Sequence, residues 1–294
     1  MFGIPLNILA MQAILGLALG AVFVLLASGL SMIYGLMDVV NFAHGAYYML
    51  GAYCVYTLGL FMGDFGVRIF LSVIVVALLG MLTEITLLRP LYKRRTPLYP
   101  LLLTFGLSLA IPDIVKIFFG LMGKAVQYPD AFMGSFMIGS VIVPKYRMFV
   151  IALTFTVLIA LWLFLKRSDL GMILRAATRD KDMVDILGIN VSRVMTLGFG
   201  IGIALAGLGG SVAAPMVAVE PDMGVNMIMQ SFVVTVVGGL GSLGGAIVGG
   251  ILIGEVVSFT SLFAGEYADV AIYFAMAVIL LIRPRGLFGE IGRE

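Results

Sequence analysis

The feature that most constrains this chain is a nearly unbroken series of apolar runs, most of them long enough for a helix to cross a hydrocarbon core about 30 Å thick. They are Leu9–Tyr34, Phe42–Met62, Ile69–Leu88, Leu98–Phe119, Met148–Leu165, Met195–Val219, Met227–Gly238, Ala246–Ala264 and Val270–Ile282. The seventh and ninth are too short to be secure on length alone. The runs lack the strict alternation and the roughly 9–11-residue length of barrel strands, so they read as helices. Composition agrees: 62% of the 294 residues are hydrophobic and 12% charged, against about 25% charged in soluble domains. About half of the 37 glycines fall inside these apolar runs, as in packed transmembrane helices. A net charge of +2 argues against nucleic acid as a partner, and the lone Cys54 makes no intrachain disulfide. The expected fold is all-α: a polytopic transmembrane helical bundle of eight or nine hydrophobic segments, one of them broken or re-entrant. It forms one membrane domain over residues 1–294, in contact with lipid.

Lys and Arg collect in three places: Arg89, Lys93, Arg94 and Arg95; then Lys166, Arg167, Arg175, Arg179, Lys181 and Arg193; then Arg283, Arg285 and Arg293. The positive-inside rule puts these on the cytoplasmic side. The N-terminus, residues 64–68, 120–147 and the Glu220–Asp222 turn then lie outside. Parity allows nine crossings, or seven plus a re-entrant hairpin over residues 227–264. If one short run stays out, the count is eight and one terminus changes side. The first run is too long for a signal-peptide core and is read as a retained helix.

Four segments could carry function. The hydrophilic insert Lys166–Val194 places Ile173, Ala177, Val184 and Leu187 at helical spacings, with Arg175, Arg179, Asp182 and Asp185 on other faces. One short amphipathic helix ending near Gly188 is expected. It either lies on the inner leaflet or docks its apolar stripe in the groove of a cytoplasmic partner. The string Gly238–Gly245 (GGLGSLGG) carries Gly238, Gly239, Gly241, Gly244 and Gly245, and Gly249 follows. It reads as close helix packing or as an interrupted helix lining a water-filled path. Asn41 and His44 either cap or cross-link helices near the cytoplasmic interface or face the pathway. Glu255 lies deep in its run with no local partner, unlike Glu84, which can reach toward Arg89, and Asp113, which has Lys116 three residues on. Glu255 is therefore a pathway or gating candidate, or a group bonded to a neighbouring helix or subunit.

One His and one Cys are too few ligands for a metal site, and no paired aspartates, Ser–His arrangement or H-E-x-x-H falls within a span, so no enzyme is expected. G-x-x-x-x-G-K-[ST] is absent, and the one Gly-Lys pair, Gly123-Lys124, lacks its context. ATP-driven transport would need a separate nucleotide-binding subunit.

Three stretches taken together resemble a known family. They are Gly171, Arg175-Ala176-Ala177, Asp180, Asp185 and Leu187-Gly188-Ile189-Asn190; Gly29–Gly35 continuing through Val40–Gly45 to Gly51-Ala52-Tyr53; and Val237–Gly245 continuing to Gly249-Gly250. In this order and at this length the chain resembles the branched-chain amino acid permeases of ATP-binding cassette importers, LivH-type. The resemblance implies a multi-pass subunit of a bacterial or archaeal inner membrane, pairing with a second, related permease. It also implies cytoplasmic ATPase subunits holding ATP and Mg, and an external solute-binding protein. In this chain it implies an ATPase-coupling loop at residues 166–194 that includes Gly171, Arg175, Ala176, Ala177, Asp180, Val184, Leu187 and Gly188. Transport would be by alternating access. Urea, short amides and other small organic solutes are alternative cargoes, and an ATP-independent homo-oligomeric channel is the reading from another class.

Overall fold

The computed structural model describes residues 5–92 and 98–289, so Lys93, Arg94, Arg95 and Arg293 of the basic clusters lie outside the described residues. The helices are α1 (Leu6–Met37), α2 (His44–Gly59), α3 (Phe65–Thr83), α4 (Arg89–Tyr92), α5 (Leu98–Phe119), α6 (Lys145–Arg167), α7 (Asp169–Arg179), α8 (Lys181–Ile186), α9 (Val191–Ala213), α10 (Met223–Gly238), α11 (Leu243–Ala264) and α12 (Ala268–Ile282). A π-helical turn, Glu84–Leu88, joins α3 to α4 without a break. Each of the nine apolar runs has a helix in it. Among the described residues, six helical stretches are long and apolar enough to cross a membrane, and the last of them, Leu243–Ile282, contains both α11 and α12. These two are joined by a single turn at Gly265–Tyr267 and pack against each other.

The helices α2 and α10 are 16 residues each, about 24 Å at 1.5 Å per residue and less than a full hydrocarbon core. Their amino-terminal turns touch, because Gly45 and Gly224 present bare backbone to each other: a Cβ on Gly45 would sit 2.8 Å from Ile228 Cβ, and one on Gly224 3.2 Å from the Ala46 nitrogen. An antiparallel hairpin, β1 (Ser135–Ile138) with β2 (Val141–Pro144), adds a small strand element to the segment expected to be external. It lies at the end of the bundle where Asn7 reaches Ser140 and Lys124 pairs through its backbone with Val219.

The core is built around α1, whose residues from Gly16 to Leu36 are almost all buried between α11, α9, α10 and α6. Glycine makes this possible. A Cβ on Gly20 would lie 2.9 Å from the Gly250 carbonyl, and one on Gly250 would lie 2.9 Å from the Val24 nitrogen. Without a hydrophobic difference between lipid tails and side chains, such close packing and buried hydrogen bonds hold the helices together. Ser72 Oγ donates to the Gly51 carbonyl at 2.9 Å and meets Ser211 Oγ at 2.8 Å, linking α3, α2 and α9. Across α1 and α11, Gln12 Nε2 donates to Ser258 O while Ser258 Oγ donates back to Gln12 O at 2.7 Å.

All described members of the three basic clusters gather at the end away from the hairpin. Arg89 reaches the first turn of α9, and Arg175, Arg179 and Arg285 line one cavity. At the opposite end Lys116 pairs with Asp222 at 3.0 Å as well as with Asp113 at 3.2 Å. One face of charge is therefore separated from the other by the length of the bundle, which is the polarity that the positive-inside rule requires.

Candidate coupling surface and solute path

The hydrophilic insert is shaped by three side-chain caps. Ser168 Oγ accepts from the Gly171 nitrogen at 3.0 Å, Asp180 Oδ1 from the Met183 nitrogen at 2.9 Å, and Asn190 Oδ1 from the Arg193 nitrogen at 3.1 Å. Each starts a helix by satisfying a first-turn N–H. The single helix expected here is consequently two. Asp180 takes an extended backbone between α7 and α8, because its side chain serves the second helix as a cap and its backbone cannot continue the first. Gly188 ends α8 at φ +81°, a left-handed conformation that glycine adopts without cost. Gly171 lets α7 fold back on α6, since a Cβ there would lie 2.8 Å from the Leu165 carbonyl oxygen.

The burial of the insert differs from the expected docking stripe. Ala177 and Val184 are 1% and 2% exposed and pack with Leu174, Met32, Leu36, Leu165, Val194 and Met195 of the same chain. The insert is tethered to α6 and α9 at its two ends, so its apolar stripe closes onto α1, α6 and α9. Leu187, by contrast, is 70% exposed, and with Met183 and Ile186, the latter 78% exposed, it forms an apolar surface at the tip. Ala176 is exposed on the outer side of α7. The apolar stripe thus divides into an anchoring part and a free part; Met183 and Ile186 fall off the helical register that Ala177 and Val184 define, so the sequence pattern does not mark them.

Directly behind the insert, Glu84 is fully buried and pairs with Arg89 at 3.0 Å, while Thr196 Oγ1 donates to Glu84 Oε2 at 2.6 Å. Arg89 Nη2 also donates to Thr196 Oγ1. The five-residue separation of Glu84 and Arg89 is bridged through the π turn, whose extra residue shifts the helix face. This network fastens α3 and α4 to the root of α9, the helix that leaves the insert. Thr196 carries no signal of this role in the sequence, since it lies within an apolar run.

Of the three polar candidates of the path, Asn41 and His44 lie together, the His44 backbone nitrogen donating to the Asn41 carbonyl at 3.1 Å, and Glu255 lies apart. His44 is fully buried and its Nε2 donates to the Leu26 carbonyl at 3.0 Å. Leu26 lies eleven residues before the end of α1, so His44 sits about 16 Å in from that end and cross-links α2 to α1. Asn41 Oδ1 accepts from the Ala43 nitrogen at 3.1 Å and shapes the entry to α2. Asn41 Nδ2 and His44 Nδ1 have no protein partner among the described residues. Glu255 instead lies on α11 against Gly16, about 15 Å along α1 from Leu26, and borders a shallow groove of about 620 Å³ with Val248, Leu252 and Phe259.

The glycine string does two things. Gly239 at φ +107° and Gly241 at φ +80° make the turn between α10 and α11, while Gly238, Gly245 and Gly249 bring the two helices into backbone contact: a Cβ on Gly249 would lie 2.8 Å from the Val234 carbonyl. Gly244 faces open space. The carboxyl-terminal segment closes over this turn, with Leu287 and Phe288 nitrogens donating to the Val237 and Gly238 carbonyls at 2.8 and 2.9 Å.

Comparison with known proteins places this arrangement in a family. Residues 12–282 match the family described as branched-chain amino acid transport system / permease component. The high-affinity branched-chain amino acid transport system permease protein BraD of Pseudomonas aeruginosa is 33% identical, over 95% of this chain and 95% of its own. The corresponding permease protein LivH of Escherichia coli K12 is 30% identical, over 94% of each chain. Among solved structures, a chain of PsaBC from Streptococcus pneumoniae in complex with Fab aligns over 91% of this chain and 89% of its own, at 17% identity and a TM-score of 0.45. From its multi-pass apolar helices and this match along nearly its whole length, the chain belongs to the branched-chain amino acid permease family, a family of transport subunits rather than enzymes.

Proposed function

We propose that this chain is the membrane subunit of an ATP-binding cassette importer that moves leucine, isoleucine and valine inward by alternating access across a bacterial or archaeal cytoplasmic membrane. The observation that carries the reading is the full-length match to relatives named as high-affinity branched-chain amino acid permeases. In this reading the chain pairs with a second, related permease, receives solute from an external binding protein, and couples to a pair of cytoplasmic ATPases that hold ATP and Mg. The exposed tip of Met183, Ile186 and Leu187 supports such coupling, because a rigidly capped helix with an apolar face is suited to a groove on a partner. Gly171, Asp180 and Gly188 hold that tip in place, Ala177 and Val184 anchor it, and Arg175 and Ala176 belong to the helix that carries it. Push on the tip passes to α9 directly and to α3 through the Glu84–Arg89–Thr196 network.

The solute path is proposed to pass the touching amino ends of α2 and α10, near Asn41 and His44, where discontinuous helices offer first-turn N–H groups to a carboxylate. Glu255, which lies against Gly16 and borders the open groove on α11, is proposed as a contact or gating group toward the neighbouring subunit. Uptake of labelled leucine, isoleucine, valine, urea and acetamide by cells lacking their own systems and expressing the complete importer tests the cargo. Uptake of the three amino acids and not of urea or acetamide is expected, and the reverse pattern contradicts it.

A further inference from the structure

At the basic end of the bundle a cavity of about 500 Å³ opens among the end of α1, the side of α7 that carries Arg175, Thr178 and Arg179, the α10–α11 turn and the end of α12. Arg175, Arg179 and Arg285 converge on it from two segments more than one hundred residues apart, and neither Asp nor Glu is among its lining residues. Among the described residues none of these guanidinium groups has an ion-pair partner, whereas the nearby Lys181 is paired with Asp38 at 3.2 Å. At the inner end stands Ser31, which is fully buried, and its Oγ has no hydrogen-bond partner among the described residues. The amino end of α11 opens on the same space at Ser242 and Leu243, and first-turn N–H groups favour negative charge. The remaining walls are largely apolar.

Three cations without an ion-pair partner and a buried hydroxyl without a hydrogen-bond partner among the described residues, together with a helix amino end, describe a site for an anion. Its place at the cytoplasmic ends of membrane helices, and its apolar walls, describe an anion that carries hydrocarbon. We infer that this cavity binds the headgroup of an anionic phospholipid of the inner leaflet, with the phosphate held by Arg175, Arg179 and Arg285 and a headgroup oxygen reaching Ser31. Basic pockets between membrane helices on this face are suited to such headgroups. The bound lipid would bridge α7 to α12 and so tie the coupling insert to the carboxyl-terminal end of the bundle.

The test uses the assembled importer with its ATPase and permease partners. The complex is released from vesicles of equal phosphatidylglycerol and phosphatidylcholine, and the lipids retained are counted by native mass spectrometry. Preferential retention of phosphatidylglycerol is expected. Arg285→Gln and Arg179→Gln should each reduce it about fivefold, the change that about 1 kcal/mol per basic residue corresponds to, while Arg285→Lys should hold retention close to that of the unaltered chain. Equal retention of the two lipids, or unchanged retention in both Gln variants, overturns the inference. So does thermal protection of the complex by inorganic phosphate alone equal to that given by phosphatidylglycerol vesicles, which would assign the cavity to a free anion. Loss of the preference in the assembled complex but not in the isolated permease also overturns it, because the partner would then occupy the cavity.

Discussion

Glu84 illustrates how a charge survives at full burial within a membrane helix. Its carboxylate has Arg89, whose side chain is 34% exposed, on one side and the Thr196 hydroxyl on the other; removing one partner of a fully buried pair costs about 3–5 kcal/mol, and solvent at Arg89 lowers that figure here. Arg89→Ala should therefore lower the thermal midpoint of the detergent-purified chain markedly, and Glu84→Gln combined with Arg89→Ala should recover part of the loss; an unchanged midpoint in the single variant would remove the network from the account. Glycine makes the second argument at this scale. Gly20→Val would force α1 away from the Gly250 carbonyl, and overpacking of this kind costs about 1–3 kcal/mol or more. The same melting assay checks it, with Gly244→Ala, which meets open space, as the expected neutral comparison. Residue-level reading of the sequence located Glu84 beside Arg89 but not Thr196, since a threonine within an apolar run is as often bonded to its own helix as to a buried acid. Glu255, expected to lack a local partner, has an Oε2 without a hydrogen-bond partner among the described residues, and one chain's sequence does not tell which helix its carboxylate meets, here α1 at Gly16.

At the scale of elements, the insert between α6 and α9 separates two roles that a single apolar stripe conflated. Val184 belongs to the chain's own core and Leu187 to its surface. Val184→Asp should bury an unpaired carboxylate and prevent stable folding, read as loss of monodisperse protein on size exclusion. Leu187→Asp should leave stability within about 0.5 kcal/mol, as surface changes do, yet abolish co-purification of the ATPase. Retention of the ATPase by Leu187→Asp, together with normal uptake, would take the tip out of the coupling surface. Helix existence was legible in the sequence because hydropathy runs survive any tertiary arrangement. The break at Asp180 was not, because Asp suits a helix surface and a cap equally well and only the backbone decides between them. The β1–β2 hairpin was likewise hidden in a stretch without clear alternation.

At the scale of the whole molecule, the charge asymmetry between the two ends, the short helices α2 and α10 meeting at their amino ends, and the insert at the basic end give the chain a direction. Its polarity could be read from the Lys and Arg clusters, because the folded chain gathers the described members of those three clusters at one end. The depth of His44 could not, since the stretch from Asp38 to Ala43 returns into the bundle rather than ending at its surface. The direction implies work done from the basic end, and that is the claim most open to test. The assembled importer is reconstituted in proteoliposomes with its external binding protein, and labelled leucine is followed with and without ATP and Mg on the side of the ATPase subunits. The account predicts accumulation against a gradient that requires ATP and is lost with Leu187→Asp; leucine flux down its gradient through this chain alone, indifferent to ATP and to Leu187, would contradict it.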